Sequence, residues 1–261
     1  MRIIQCSRKR DVASRKSSRP EGRRAVLLGA AVTLALAVNL ALPDGLMAQD
    51  APEEDLRPGV AVLPLENGGS YGPDREDVEA LQVGLQQMLL TELNQNSDLR
   101  IVERQRIRDI LQEQDLGADG RVDAATAAEI GRIVGARYVI TGTFMDLWGD
   151  FRLDTRIWDQ ETSEILRTES VRGDREALYD LLVEMAGKIM DGEELPSLPA
   201  EQREAREART ISADAITLYS RAQMLEDVGQ TDQARELYQR IVSDFPEMTE
   251  AGEALEQLTG P

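Results

Sequence analysis

The sequence contains no histidine, and its one cysteine, Cys6, lies before the apolar segment at 25–42. Without histidine there can be no Ser-His-Asp or Cys-His couple, no imidazole zinc ligand and no histidine switch near neutral pH. Because of its position, Cys6 cannot be the lipidated cysteine of a bacterial lipoprotein. The part of the chain after that segment has no thiol for a disulfide. Any acid–base or metal chemistry would therefore depend on carboxylates.

Aromatic residues and positive charge are also scarce. Aromatics make up 4% of the chain, and 30 Lys and Arg stand against 48 Asp and Glu, which gives a net charge of −18. Residues 1–48 hold nine basic and three acidic side chains, so the rest of the chain carries −24. A body of that sign repels phosphate backbones and anionic headgroups, so we expect no nucleic-acid partner and no peripheral docking to membranes.

The carboxylates do not form a recognisable reactive or metal-binding pattern. Asp115, Asp119 and Asp123 are spaced partly like a calcium loop, but Gly117 and Thr126 occupy positions where that loop needs ligands. No nucleophile stands beside a usable base in a known motif. We therefore predict a protein that is not an enzyme, with no catalytic, cofactor-binding or metal-binding residues and no small-molecule substrate.

The first 48 residues are typical of an export signal. Basic side chains dominate up to Arg24, an apolar run of eighteen residues covers 25–42, and small residues precede a cleavage position after Ala48. We expect cleavage there and a periplasmic location. A retained membrane anchor stays open because a run of this length can just span a bilayer. The Arg23-Arg24 pair also leaves the general and twin-arginine export routes open.

Hydrophobic patterning from residue 57 to residue 192 predicts strands and helices in a mixed order. The apolar run at 59–65 predicts a strand buried on both faces, and helical spacing follows over 78–93. Further strands are predicted at 99–102, 138–144, 151–158 and 164–171, and further helices at 103–114, 123–135 and 175–190. The last three strands predict an antiparallel meander. We predict an α/β (α+β) fold with a mixed sheet of about five strands covered by helices.

A smaller helical unit is predicted after this sheet domain. Residues 193–209 contain prolines and then alternate Glu and Arg as on a solvated helix face, so we interpret them as a linker. Residues 215–248 match the 34-residue tetratricopeptide spacing, with Gly229 at the turn between two helices, and 247–258 predicts a capping helix. A single repeat cannot bury its own apolar face, so it should pack on the first domain, another subunit or a partner.

The predicted organisation is a leader at 1–48, a flexible lead-in at 49–56, a sheet domain at 57–192, a linker at 193–209 and a small all-α helical-repeat unit at 210–261. We expect the sheet domain to fold without the helical unit, whose removal should change association.

Five segments within 57–192 resemble one known family. They are VAVLPLEN, GLQQMLLTELNQ, LRIVERQRIRDILQEQDLG, AAEIGRIVGARYVITGTF and DTRIWDQETSEIL. In this order they closely resemble the CsgG family, known for the curli production assembly and transport component. The resemblance implies a non-enzymatic periplasmic scaffold in secretion or surface-structure assembly. It would act by self-association or by contact with envelope machinery, and it would need no cofactor.

The best-known member of that family also forms an outer-membrane pore, through lipidation and long membrane-crossing hairpins. The predicted strands are shorter than the about nine to eleven residues that such hairpins need. We therefore expect a scaffold without a channel, with membrane contact only if the leader is retained. Two alternatives stay open: a periplasmic activator of cell-wall synthesis enzymes, which proteins of the same fold group resemble, and a true outer-membrane secretion pore.

Overall fold

A computed structural model describes residues 55–70, 75–114 and 123–260 of the chain. The predicted leader, most of the lead-in, residues 71–74, residues 115–122 and Pro261 lie outside the described residues. The predictions that concern those segments therefore stay predictions.

A mixed sheet forms the centre of the described chain. Its order is β3-β1-β4-β5-β6, and β2 also pairs with β4. β1 runs parallel to β3 and β4, whereas β4, β5 and β6 form the predicted antiparallel meander. The strands are β1 Gly59–Val62, β2 Glu66–Asn67, β3 Arg100–Ile101, β4 Tyr138–Leu147, β5 Asp150–Asp159 and β6 Glu164–Asp174.

The predicted α+β class is confirmed, with one difference in the sheet. It has six strands within the described ranges, not about five, because the first apolar run does not form one strand. The chain leaves the β4 ladder after Val62 and pairs with β4 again at Glu66. The proline at position 64 lies within that break, and a proline cannot donate to a strand ladder.

The meander strands are longer than the sequence predicted. β4 and β5 have 10 residues each and β6 has 11, because pairing continues past the apolar residues to the turn at Trp148 and Gly149. The prediction of shorter strands was wrong. Strand length therefore gives no argument against the pore alternative.

The helices follow the predicted apolar spacing, and α3 shows how its ends are fixed. The Asp123 side chain accepts a hydrogen bond from the Thr126 backbone N–H, and this bond lowers the pKa of that carboxyl. Gly135 ends the helix with a φ of 70°, which a glycine adopts without strain. The helices are α1 Arg75–Asn94, α2 Arg104–Gln114, α3 Ala124–Val134, α4 Leu178–Met190, α5 Ala200–Glu207, α6 Ala213–Asp227, α7 Thr231–Asp244 and α8 Thr249–Thr259.

Two apolar cores lie on opposite faces of the sheet. The smaller one contains Ala61, Val139 and Trp158 together with residues of α2 and α3. The larger one holds the other face of β1, β4 and β5 together with α1 and α4. Buried residues of the C-terminal helices belong to this larger core, among them Ile216, Tyr238, Ile241 and Ala251. The C-terminal helices therefore share a core with the sheet domain.

The segment at 193–209 is packed against the rest of the chain. Leu195 and Leu198 are buried in the larger core, and α5 begins at Ala200. Arg206 is only 7% exposed. The prediction of a solvated helix face is wrong at this residue, because its guanidinium pairs with a buried carboxylate of α1.

Candidate functional site

The sheet domain and the C-terminal helices meet at a close crossing of α1 and α6. Gly84 of α1 faces Ser220 of α6, and a Cβ at Gly84 would lie 2.8 Å from the Cα atom of Ser220. The Ser220 hydroxyl donates to the Ile216 carbonyl, 2.7 Å away within its own helix. An ion pair joins Arg221, the residue after Ser220, to Asp77, about two turns before Gly84 on α1. The crossing thus brings the two backbones together at a position where only glycine fits.

A buried polar network holds α5 against α1 and α4. The Arg206 Nε donates to Glu92 Oε2 at 2.5 Å, and the Tyr179 hydroxyl donates to Glu92 Oε1 at 3.0 Å. Glu92 is 1% exposed, so its charge depends on these two donors. Burial raises the pKa of Tyr179 above its ordinary value, and the Glu92 charge adds to that increase. The phenol therefore stays protonated and donates at physiological pH.

A second set of ion pairs connects α2 with the end of α6. Arg104 Nη1 lies 2.6 Å from Asp227 Oδ2, and Arg108 Nη1 lies 2.7 Å from Asp227 Oδ1. One carboxylate at the C-terminal end of α6 therefore binds two guanidinium groups of α2. Ion pairs therefore join α6 to α1 at Arg221 and to α2 at Asp227.

A polar cleft of about 690 Å³ lies between the sheet domain and the C-terminal helices. α1 contributes polar side chains, the junction of β3 and α2 contributes Glu103 and Arg104, and α6 and α8 supply the opposite wall. Its volume is in the range of ordinary ligand sites. The polar lining residues are Gln87, Thr91 and Asn94 of α1, Gln95 just after it, Tyr219, Gln223 and Glu226 of α6, and Glu250, Glu253 and Gln257 of α8.

A hydrogen-bonded group of α6 and α7 includes two of the lining residues, Gln223 and Glu226. Gln223 Nε2 donates to the Tyr238 hydroxyl at 2.7 Å, and that hydroxyl donates to Glu226 Oε2 at 2.9 Å. Burial raises the pKa of Tyr238, with Tyr219 and Glu226 adding to the increase. The Oε1 of Gln223 is buried and has no hydrogen-bond partner in the described chain. This group of side chains thus contains one buried acceptor, the Gln223 Oε1, that receives no hydrogen bond in the described chain.

The described ranges hold neither a metal-binding group nor a membrane-spanning helix. Within the described ranges, no group of three or more histidine, cysteine, aspartate or glutamate side chains is placed to hold a metal ion. None of the helices described is both long and apolar enough to cross a membrane. The sequence predicts no catalytic, cofactor-binding or metal-binding residues, and this absence stays a prediction.

Sequence reasoning missed the residues that line the cleft. The residue pattern predicts Glu103 at the start of a helix and gives it no further role. Gln223 and Glu226 were not distinguished from other polar residues of the helical unit. The pairing of α1 with α6 joins residues more than a hundred positions apart, and no local pattern indicates such a contact. The glycine at position 84, within a helical pattern, was the available signal, since an interior glycine usually has a packing reason.

The fold is that of an α+β protein with a helical C-terminal part. The polar cleft lies between this part and the sheet domain. Residues 45–147 match the family described as curli production assembly/transport component CsgG, over less than half of the 261 residues. The match supports the predicted CsgG-like character of the sheet domain. No curated protein matches the chain.

The solved structures that match this chain share little sequence with it. The LpoB C-terminal domain from Salmonella enterica is 20% identical, covers 48% of this chain and 87% of its own, and gives a TM-score of 0.33. LpoB from Escherichia coli is 16% identical over 65% and 94%, with a TM-score of 0.35. The PelC dodecamer from Paraburkholderia phytofirmans is 18% identical over 51% and 86%, with a TM-score of 0.29. At these TM-scores the similarities carry no functional argument.

Proposed function

We propose that this protein is a non-enzymatic periplasmic scaffold in secretion or surface-structure assembly at the cell envelope. The observation that carries the proposal is the CsgG family match at 45–147, whose description names assembly and transport. The predicted export leader at 1–48 agrees with it. In this proposal the mature chain begins at Gln49 and is not lipidated.

The joint between the two parts supports a role in binding proteins. The α1–α6 crossing, the Glu92 network and the Asp227 ion pairs hold the C-terminal helices in one orientation on the sheet domain. Because the two parts of the chain already have a fixed orientation, binding a partner loses less conformational entropy. In this scaffold the sheet domain is the docking body, and the tetratricopeptide-like unit, which stays an assignment from sequence, contributes the second wall of the contact surface.

Fractionation with in vivo cross-linking tests the proposal. The full chain with a C-terminal tag is expressed in a Gram-negative host, cells are fractionated, the mature N-terminus is sequenced and cross-linked proteins are identified by mass spectrometry. We expect the tagged protein in the periplasmic fraction, an N-terminus at Gln49, and cross-links to itself or to envelope proteins. Its recovery in the cytoplasm, or the absence of any cross-linked protein, contradicts the proposal.

A conductance measurement distinguishes the scaffold from the alternative of a secretion pore. Purified full-length protein is added to planar lipid bilayers, and conductance is recorded. We expect no conductance steps. Reproducible steps together with recovery from the outer-membrane fraction would replace the scaffold by a secretion pore.

A further inference from the structure

The polar cleft between α1, α2, α6 and α8 carries more negative charge than its neighbours balance. Two of its charged groups are already paired, because Arg104 binds Asp227 and Glu250 binds Arg209. Glu103, Glu226 and Glu253 have no ion pair to lysine or arginine within the described ranges. The cleft therefore has three carboxylates without an ion pair, and they come from the β3–α2 junction, α6 and α8.

A buried acceptor adds a second and independent feature. Gln223 lines the cleft and is 5% exposed, yet its Oε1 accepts no hydrogen bond. Leaving a buried polar atom unpaired costs about 1–3 kcal/mol. A ligand N–H that reached this buried oxygen would recover that cost, and the ligand would meet acceptors from the carboxylates and from the amide side chains of α1.

The cleft carboxylates form no metal-binding group within the described ranges. A metal ion needs several ligands that converge on one point, and no such group occurs in the part of the chain that is described. Charges spread over a cleft of about 690 Å³ instead suit several cationic groups at a distance from one another. Lysine and arginine side chains along a peptide have this arrangement, and their N–H groups are donors only.

We propose that this cleft binds a basic segment of a partner protein, with lysine or arginine side chains at Glu103, Glu226 and Glu253 and a donor at Gln223. The inference rests on the proposed function, since it specifies the chemistry of a partner that the scaffold would bind. It also gives the strongly acidic composition a role, because the negative field attracts a basic segment from a distance.

Peptide binding to the full chain tests this inference. The probe is a fluorescein-labelled heptapeptide of alternating Gly and Arg, and the comparison probe alternates Gly and Glu. The cleft variant is Glu103→Gln with Glu253→Gln, both exposed positions. The control variant is Glu161→Gln with Glu164→Gln, exposed positions at the β5–β6 turn that change the net charge equally.

We expect the Arg peptide to bind the unmodified chain and the control variant equally, and the cleft variant roughly tenfold more weakly, as the loss of two charge contacts implies. The Glu peptide should not bind. Equal binding to the cleft and control variants, no binding of the Arg peptide, or spermine binding as tightly as the peptide would each overturn the inference. These results leave the cross-linking of protein partners unaffected, so failure here is distinguishable from failure of the proposed scaffold role.

Discussion

At the scale of single residues, the Glu92–Arg206 pair is the most deeply buried ion pair among the described residues. Both side chains are removed from solvent, so each charge depends on the other for compensation. Tyr179 satisfies the second carboxylate oxygen, and Arg209 lies over the Tyr179 ring at 5.6 Å. Replacing one partner therefore leaves an unpaired buried charge, whereas replacing both partners by apolar residues leaves no buried charge.

We predict that Arg206→Met destabilises the protein by about 3–5 kcal/mol, since it leaves the Glu92 carboxylate buried without a cation. The double variant Glu92→Leu with Arg206→Met should recover most of this loss, except for about 1 kcal/mol from the Tyr179 hydroxyl that loses its acceptor. Urea unfolding followed by circular dichroism measures both. A single variant as stable as the original chain would show that the pair is not buried as described.

At the scale of elements, the position of α6 on α1 depends on a missing side chain. Alanine is preferred to glycine in a helix interior by about 1 kcal/mol, so an interior glycine is normally a cost. At Gly84 the cost is offset by the close approach to Ser220. The helix contact thus contradicts local propensity, and tertiary packing determines the residue.

We predict that Gly84→Ala lowers stability by about 1–3 kcal/mol despite its better helix propensity, because the added Cβ must push α6 away. Gly187→Ala is the matched control, since Gly187 lies in α4 and a Cβ there meets no atom within 4 Å. That variant should gain up to about 1 kcal/mol. Urea midpoints that move in the same direction for both variants would disprove the close crossing.

At the scale of the whole molecule, residues 54–261 form one compact unit, and its larger core includes both the sheet and the C-terminal helices. The predicted domain boundaries at 192 and 210 stay a prediction. The shared core, however, changes what we expect from removing the C-terminal part. The sheet domain would lose the cover over α1 and the cation that pairs with Glu92.

We predict that truncation after Leu195 gives a protein that aggregates or unfolds at a clearly lower urea concentration, since it exposes the α1 surface around Gly84 and leaves Glu92 unpaired. Truncation after Thr259 keeps α8 and serves as the control. Size-exclusion chromatography and urea unfolding measure both. A monodisperse short protein with an unchanged midpoint would instead support two independently folding domains.

The sequence predicted those features that depend on neighbouring residues. Apolar spacing indicated the helices and strands, the Asp123 cap and the Gly135 stop were identified from their residue types, and the α+β class followed from the element order. The extension of the meander strands was not predictable in the same way. Their last pairs, Asp146↔Phe151 and Leu147↔Asp150, are held by backbone bonds that do not need an apolar pattern.

The sequence by itself determined the chemical character of this protein. The absence of histidine, the excess of carboxylates and the segments that resemble the CsgG family are properties of residue identity and order, and they need no coordinates. The tertiary structure alone decided which carboxylates are paired. Arg206 neutralises Glu92 while Glu103, Glu226 and Glu253 around one cleft have no ion pair within the described ranges, because charges distant in sequence interact only where packing brings their elements together.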